Sequence, residues 1–293
     1  MRYLIIFLLL LPLAPIHAQS GWVKAPGQTY LQASYQGFVS NQYYNPLGER
    51  LTTETFRQQS LQFYGEYGLT QRWDLILSMP LYRFNSFTTT TWAHGIGDLR
   101  VELKYGLLTG KIPVAISIAP ELPTGPNDNF ATNRERAFEQ INLPTGDGEW
   151  NIWTTLAASH SFYPLPLYLS THAAFNYRTG YQGTNFRNQI KYGVELGYQP
   201  TKSIWLIGRA GALVTIGDPT TTITVFPRGD GTTYMSGSLA ASYQLSPQWS
   251  LVGNLQGYFD GWHARTNIYT GTTFTLGFAW EPTLPTLFSR NQE

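Results

Sequence analysis

Alternating polar and apolar residues recur along this chain in segments of about ten residues, and this period restricts the folds open to it. Within residues 188–198, Ile190, Val194 and Leu196 fall on one face of a strand, and Lys191 and Glu195 fall on the other. A strand needs this pattern when one face meets lipid and the other meets water, because successive side chains point to opposite sides. The pattern predicts an all-β fold, a transmembrane antiparallel up-and-down β-barrel of the outer-membrane type.

Twelve such segments can be traced, and the connections between them are alternately tight and long. The predicted strands are residues 29–38, 55–69, 73–84, 95–108, 112–121, 148–161, 166–178, 187–199, 204–216, 232–245, 249–261 and 271–280. The long connections are rich in Asn, Thr, Gly and Pro and lie at 39–54, 85–94, 122–147, 179–186, 217–231 and 262–270. Tight periplasmic turns, long extracellular loops and an even strand number are typical of bacterial outer-membrane barrels.

The first residues predict export from the cytoplasm. Arg2 is followed by an apolar run at 4–13 and by Ile16-His17-Ala18, so residues 1–18 have the pattern of a cleaved signal peptide. An anchoring membrane helix is the weaker alternative, because the run is shorter than a bilayer requires. Residues 19–293 are predicted to form a single barrel domain in the bacterial outer membrane, with a polar C-terminal tail from the 280s onward.

Composition limits the partners that this chain can have. The sequence holds 19 Lys and Arg and 18 Asp and Glu, and removal of Arg2 leaves 18 of each, which argues against a nucleic-acid partner. The chain has no cysteine, and it therefore has neither a disulfide nor a lipoprotein anchor. The expected partners are outer-membrane lipid, an unidentified small-molecule solute and the barrel assembly machinery during biogenesis. No cofactor is predicted.

The same alternation predicts which side chains line the barrel lumen. Facing lipid at midplane would cost a charged group about 2–4 kcal/mol, so charges on the strands should point inward. The lumen-lining candidates are Glu66, Asp98, Arg100, Glu102, Lys104, His172, Arg178, Lys191, Glu195, Arg209 and Gln256. Both signs occur, which leaves two interpretations open: a selectivity lining along a pore, or ion pairs that fill and close the barrel.

Three tight turns carry an aromatic residue on each side. These six residues are predicted to form a periplasmic aromatic girdle at the lipid headgroups, since amphipathic rings prefer that boundary. They are Tyr67, Trp73, Tyr198, Trp205, Tyr243 and Trp249.

The connection at 122–147 is the longest, and two copies of Leu-Pro-Thr-Gly bracket it. Arg134, Glu135 and Arg136 lie between the copies and are candidates for a constriction if this loop folds inward. A solvated surface loop is the alternative. Only about ten residues precede the first strand, which is too few for a plug domain of the kind found in large barrels.

Catalytic and metal-binding signals are weak. Ser170 and His172 share one face, but that face is predicted to point inward, away from lipids of the outer leaflet. Residues 127–129 and 147–149 offer oxygen ligands without the spacing of a defined calcium loop. The absence of cysteine and the scattered histidines argue against zinc. Neither catalytic residues nor a metal site is predicted.

Three segments resemble a known family of outer-membrane barrels. Residues 95–105 read G-I-G-D-L-R-V-E-L-K-Y, residues 113–125 end in E-L-P-T-G, and residues 143–151 read L-P-T-G-D-G-E-W-N. This pattern resembles the outer-membrane transporter barrels of the phenol-degradation MetA-pathway family. The matching residues are Gly95, Gly97, Asp98, Lys104, Tyr105, Pro123, Thr124, Gly125, Gly146 and Gly148. The resemblance implies a route for small, often hydrophobic molecules, and it carries over no catalytic residues.

Three functional hypotheses follow. The first is a diffusion channel or transporter for small solutes of hydrophobic or aromatic character. The second is a non-conducting structural or interaction barrel that anchors an envelope or export complex. The third and least supported is an enzyme that modifies lipids of the outer leaflet.

Overall fold

The computed structural model describes residues 19–183, 185–217 and 229–286, so the predicted signal peptide lies outside the described residues. Within these ranges no helix is long and apolar enough to cross a membrane. The described residues form sixteen strands: β1 (Thr29–Tyr44), β2 (Arg50–Gly68), β3 (Trp73–Phe87), β4 (Ala93–Gly95), β5 (Leu99–Leu108), β6 (Val114–Leu122), β7 (Phe130–Thr132), β8 (Gln140–Asn142), β9 (Asn151–Ser161), β10 (Leu167–Arg178), β11 (Gln189–Thr201), β12 (Ile204–Thr215), β13 (Tyr234–Gln244), β14 (Trp249–Phe259), β15 (Ile268–Tyr269) and β16 (Thr272–Trp280).

The twelve longer strands close into an antiparallel barrel. Each pairs with its neighbours in chain order, and β1 pairs with β16 from Leu31↔Trp280 to Val39↔Thr272, which joins the two ends of the sheet. The predicted fold class and all twelve predicted strands are confirmed. Closure matters because a membrane-spanning sheet can leave no edge unpaired in lipid. We call the end that carries the tight turns periplasmic, as in other outer-membrane barrels.

The first hairpin is longer than predicted. Strands β1 and β2 extend the pairing to Tyr44↔Arg50, so the connection predicted at 39–54 is reduced to a turn at 45–49. Ser40, Asn41 and Gln42 put polar groups on both faces, and the register shifts between Ser40 and Gln42. The extension therefore lacks the alternation by which the membrane-spanning part was recognised.

A β-bulge in β3 reverses the direction of the side chains in its second half. Leu61 pairs with Tyr82 and Gln62 pairs with Pro80, which leaves Leu81 as the extra residue. Proline has no N–H to donate to the ladder, so a bulge beside it loses little. As a result Arg83 faces the lumen, where strict alternation from the start of the strand would have turned it to lipid.

An aromatic cluster closes part of the extracellular end. The β7–β8 hairpin folds over the barrel mouth and packs Ala131 on this cluster. Leu143, the residue after β8, also packs on the cluster, and both side chains are fully buried. The rings beneath them belong to Phe56, Phe87 and Tyr269, with centroids 5.2–6.1 Å apart. The cluster gives the long loop a defined position over the β1–β3 side of the barrel.

The residues after β16 run beside the start of β1. The Leu284 N–H donates to Gly27 O at 2.8 Å, and the Tyr67 hydroxyl donates to Pro285 O at 2.7 Å. The first part of the polar tail is thus held at the periplasmic end. Residues 287–293 lie outside the described residues.

The lipid face leads to a first prediction. Leu239, at the middle of β13, leaves 74% of its surface exposed, and Leu239→Arg should destabilise the folded barrel in a bilayer by about 2–4 kcal/mol because it places a charge in hydrocarbon. Leu47→Arg is the matched control, since Leu47 is 67% exposed in the turn at 45–49. Urea titrations of both variants in lipid vesicles measure the difference. Equal free energies of unfolding would contradict the assignment of β13 to the membrane.

Candidate functional site

The barrel encloses a cavity of about 590 Å³ between its middle and its extracellular end. Inward residues of nearly every barrel strand line it, joined by parts of the long loops. Five of the eleven predicted lumen residues contribute to the lining: Asp98, Arg100, Arg178, Lys191 and Gln256. The other six lie outside the lining.

One side of the cavity carries no charge. The neighbouring strands β14, β16, β1 and β2 contribute eight uncharged side chains with an amide or an aliphatic hydroxyl group, which we call the neutral wall: Gln32, Ser34, Gln36, Gln58, Gln62, Gln256, Thr273 and Thr275. They alternate with lipid-facing residues, and the register sets Gln36 opposite Ser60 and Thr275. Gln62 donates to Ser60 at 2.8 Å, and Gln58 donates to Asn85 at 3.0 Å. A polar, uncharged surface thus follows these strands through the cavity.

The opposite side holds charged residues in ion pairs. Arg100 lies 3.0 Å from Glu102, with its guanidinium 5.7 Å from the ring centroid of Trp153. Arg178 is buried and forms an ion pair with Glu149, which lies just before β9. Desolvated charges are costly unless they are paired, so these contacts are what allow arginines inside the barrel.

A trio of amides lies near this charged side. Asn176 donates to Asn151 at 2.9 Å and to Gln189 at 3.2 Å, and all three residues line the cavity. Asn176 is 1% exposed, and no described residue donates a hydrogen bond to its Oδ1 atom. We call Asn151, Asn176 and Gln189 the amide trio.

Asp98 ties the two Leu-Pro-Thr-Gly segments together. Its carboxylate accepts hydrogen bonds from the backbone N–H of Gly125 at 2.9 Å and of Asp147 at 2.7 Å. Gly146 must be glycine, because an added Cβ would lie 2.4 Å from Gly125 O. The motif that carries the family resemblance therefore positions the loop against the barrel.

Asp98, Glu121 and Asp147 each bring one carboxylate oxygen within 4.8 Å of the others. This is a cluster of acidic groups at the rim of the cavity. Both Asp98 oxygens already accept backbone hydrogen bonds, which gives the cluster a structural explanation.

Below the cavity, a buried charge cluster fills the periplasmic half of the barrel on the β2–β5 side. The Lys104 ammonium lies 3.3 Å from Glu66 and 3.7 Å from Asp74, and Glu102 is buried beside it. None of these four residues is more than 7% exposed, so Glu66, Glu102 and Lys104 are in a closed ionic cluster and do not line the cavity. Here the filling interpretation of the charges fits the structure better than the selectivity interpretation.

Residues 20–25, which we call the strap, run along the inner periplasmic rim from β2 to β9. The Lys24 N–H donates to both Asp74 oxygens at 3.0 and 3.1 Å, and the Gly21 N–H donates to Ser159 Oγ at 2.9 Å. Gly21 fits only without a side chain, since its Cβ would lie 2.1 Å from Pro113 O. This short segment narrows the periplasmic mouth.

The remaining predicted lumen residues lie on the other side of that mouth. Glu195 accepts from the Tyr168 hydroxyl at 2.9 Å and from Arg209 at 2.6 Å. His172 faces inward on β10, two residues from Ser170, whose hydroxyl shares a 2.8 Å hydrogen bond with Ser159. Both Ser170 and His172 are therefore out of reach of lipids in the outer leaflet.

One of the six predicted girdle residues points the wrong way. Tyr67, Trp73, Tyr198, Tyr243 and Trp249 are on the outer face, and Trp249 stacks on Trp280 with ring centroids 5.7 Å apart. Trp205 faces the lumen, where its ring lies 5.3 Å from Tyr168.

The length of the turn explains this error. Trp73 and Trp249 follow their tyrosines by six residues, whereas Trp205 follows Tyr198 by seven. An odd separation across the turn places the two rings on opposite faces.

The predicted constriction residues are also not in the lumen. Arg134, Glu135 and Arg136 are exposed at the tip of the β7–β8 hairpin, and Arg136 pairs with Glu139 at 3.0 Å in solvent. The part of the long loop that does line the cavity is its end, at Pro144, Gly146 and Asp147. The sequence did not predict this role for the end of the loop, because the charged residues that suggested a constriction lie in its middle.

Sequence analysis also missed Arg83 and Asn85 as inward residues. Both are buried; Arg83 donates to Thr145 O at 2.9 Å and Asn85 donates to Pro144 O at 2.7 Å. The bulge at Leu81 turned them inward, and Pro80 was the one local signal that could have suggested it.

The charge cluster leads to a second prediction. Lys104→Met removes the buried cation beside Glu66 and Asp74, and it should lower the free energy of unfolding by about 3–5 kcal/mol because two carboxylates lose their partner. Lys111→Met, in an exposed tight turn, is the matched control and should change little. Urea titration of the refolded proteins tests this. A Lys104→Met barrel as stable as the control would show that the ion pairs contribute nothing.

No protein-family model matches this chain, and no curated protein sequence matches it. Membership of the MetA-pathway family therefore stays a prediction. Among solved structures, the chain is similar to an outer membrane channel from Pseudomonas putida F1, with 16% identity, coverage of 92% of this chain and 99% of that one, and a TM-score of 0.64.

The chain is also similar to the translocator domain of the autotransporter NalP from Neisseria meningitidis, at 10% identity and a TM-score of 0.52, covering 86% and 88% of the two chains. At these identities the likeness establishes the fold, which is that of an outer-membrane β-barrel.

Proposed function

We propose that this protein is a diffusion channel that carries small solutes across the bacterial outer membrane. The observation that carries the proposal is the cavity of about 590 Å³ inside a closed barrel, lined mostly by polar side chains. A barrel filled only for stability would pack its interior, as the periplasmic charge cluster does. The cavity is large enough for a molecule of the size that ligand pockets usually hold.

The lining fits solutes that combine a ring with polar substituents. Trp153, Tyr234 and Tyr258 offer aromatic faces, while the neutral wall offers hydrogen bonds. This supports aromatic solutes with polar substituents more than purely hydrocarbon ones, because an apolar solute would leave buried amides without partners.

In this proposal the strap restricts the periplasmic exit. It lies between the cavity and the periplasm on the side of β2 to β9, and backbone hydrogen bonds hold it to Asp74 and Ser159. Solute release requires the strap to shift or to leave a passage on the side of Glu195 and Arg209.

A reversible crosslink tests the channel and its exit together. A Cβ on Gly106 would lie 3.3 Å from both methyl groups of Val23, and the chain has no native cysteine, so Val23→Cys with Gly106→Cys can form one defined disulfide. We expect single-channel conductance in planar bilayers to fall on oxidation and to recover on reduction. Val23→Cys alone should not respond.

The outcomes separate the alternatives. Conductance that is unchanged by oxidation would support the channel and would overturn the proposed role of the strap. Silence in every state would overturn the channel. It would favour the non-conducting interaction barrel, whose docking element would be the β7–β8 hairpin with Phe138 85% exposed near its tip.

A further inference from the structure

The charges of the cavity are arranged unevenly around its circumference. Four consecutive barrel strands, β14, β16, β1 and β2, contribute no charged side chain to the lining, and the neutral wall covers this arc. The charged lining residues come from β3, β5, β6, β10 and β11 and from the long loops. A solute that passes along the neutral wall meets carboxamides and hydroxyls, which both donate and accept hydrogen bonds.

Within the described residues, several contacts reduce the ability of the charged side to bind an ion. Arg100 is paired with Glu102, and Arg178 is paired with Glu149. A guanidinium that already has a carboxylate partner exerts little net attraction on a passing anion. Filters that select ions need rings of one sign, and here both signs share one arc of the cavity.

The amide trio supplies an unused hydrogen-bonding atom. The Asn176 amide group donates to Asn151 and Gln189, while its Oδ1 accepts no hydrogen bond from the described residues although Asn176 is 1% exposed. A buried acceptor without a donor is costly and calls for a partner. Asn176 lines the cavity but its Oδ1 atom is enclosed, so a solute hydroxyl reaches this acceptor only when the side chains of the amide trio shift.

We propose that the neutral wall and the amide trio form a binding subsite for uncharged solutes that carry several hydroxyl groups, such as small sugars, polyols and hydroxylated aromatic compounds. This inference rests on the proposed channel function and narrows its solute class. Gln36 and Gln62 contact hydroxyls from one side, Asn176 accepts from the other, and nearby aromatic rings cover the apolar face of the solute. A carboxylate of the same size would have to leave water along the neutral wall, where the strands contribute no cation to the lining.

The test compares two solutes that differ only in charge. Proteoliposomes that contain the full mature protein are mixed with an iso-osmotic neutral pentose or with the corresponding aldonate, and swelling rates are measured. We expect the neutral pentose to enter about five times faster than the aldonate. Gln62→Leu and Asn176→Leu should each slow pentose entry about threefold to tenfold, which is the effect of losing one hydrogen bond. Gln59→Leu is the matched control, because Gln59 is on the same strand as Gln62 but faces outward and is exposed.

Each result has a definite meaning. Equal rates for pentose and aldonate, or a faster aldonate, would overturn the solute class while leaving the channel intact. Slowing by Gln59→Leu equal to that by Gln62→Leu would also overturn the subsite. Gel mobility with and without heating verifies that each variant is folded. The absence of both swelling and conductance in the folded wild type would instead overturn the channel itself.

Discussion

The interior of this protein depends on one seam, the hydrogen-bonded pairing of its first and last barrel strands. In lipid, an unpaired N–H or carbonyl costs several kcal/mol, so a sheet of this kind is stable in a membrane only when closed. Nine residue pairs between β1 and β16 close it. Closure fixes the circumference, and the circumference determines how much space remains once the inward side chains are in place.

That space is used differently at the two ends. At the periplasmic end, Lys104 and its carboxylate partners pack against the strap and leave little room. Towards the extracellular end, amides and hydroxyls surround open volume. The difference follows from what each group requires. Buried charges demand close partners, whereas neutral amides can exchange a protein partner for a bound molecule at low cost.

The two-residue alternation of polar and apolar side chains predicted the fold and most side-chain directions, because it is a local property of an extended chain. It failed where a single residue was added. Leu81 in the bulge redirected Arg83, and one extra residue in a turn moved Trp205 from the lipid boundary to the lumen. The strap was not predictable at all, since its contacts join Gly21 to Ser159 across 138 residues. Nor could the sequence distinguish lining charges from charges sealed in pairs, because that depends on distances across the barrel.

The route of the strap also imposes an order on assembly. Residues 20–25 precede β1, yet their hydrogen-bonding partners belong to β3 and to β9, which are synthesised later. The segment cannot reach its final position before those strands stand in the wall. Residues 20–25 therefore become ordered only after β9 is in place, although they precede every barrel strand in the sequence.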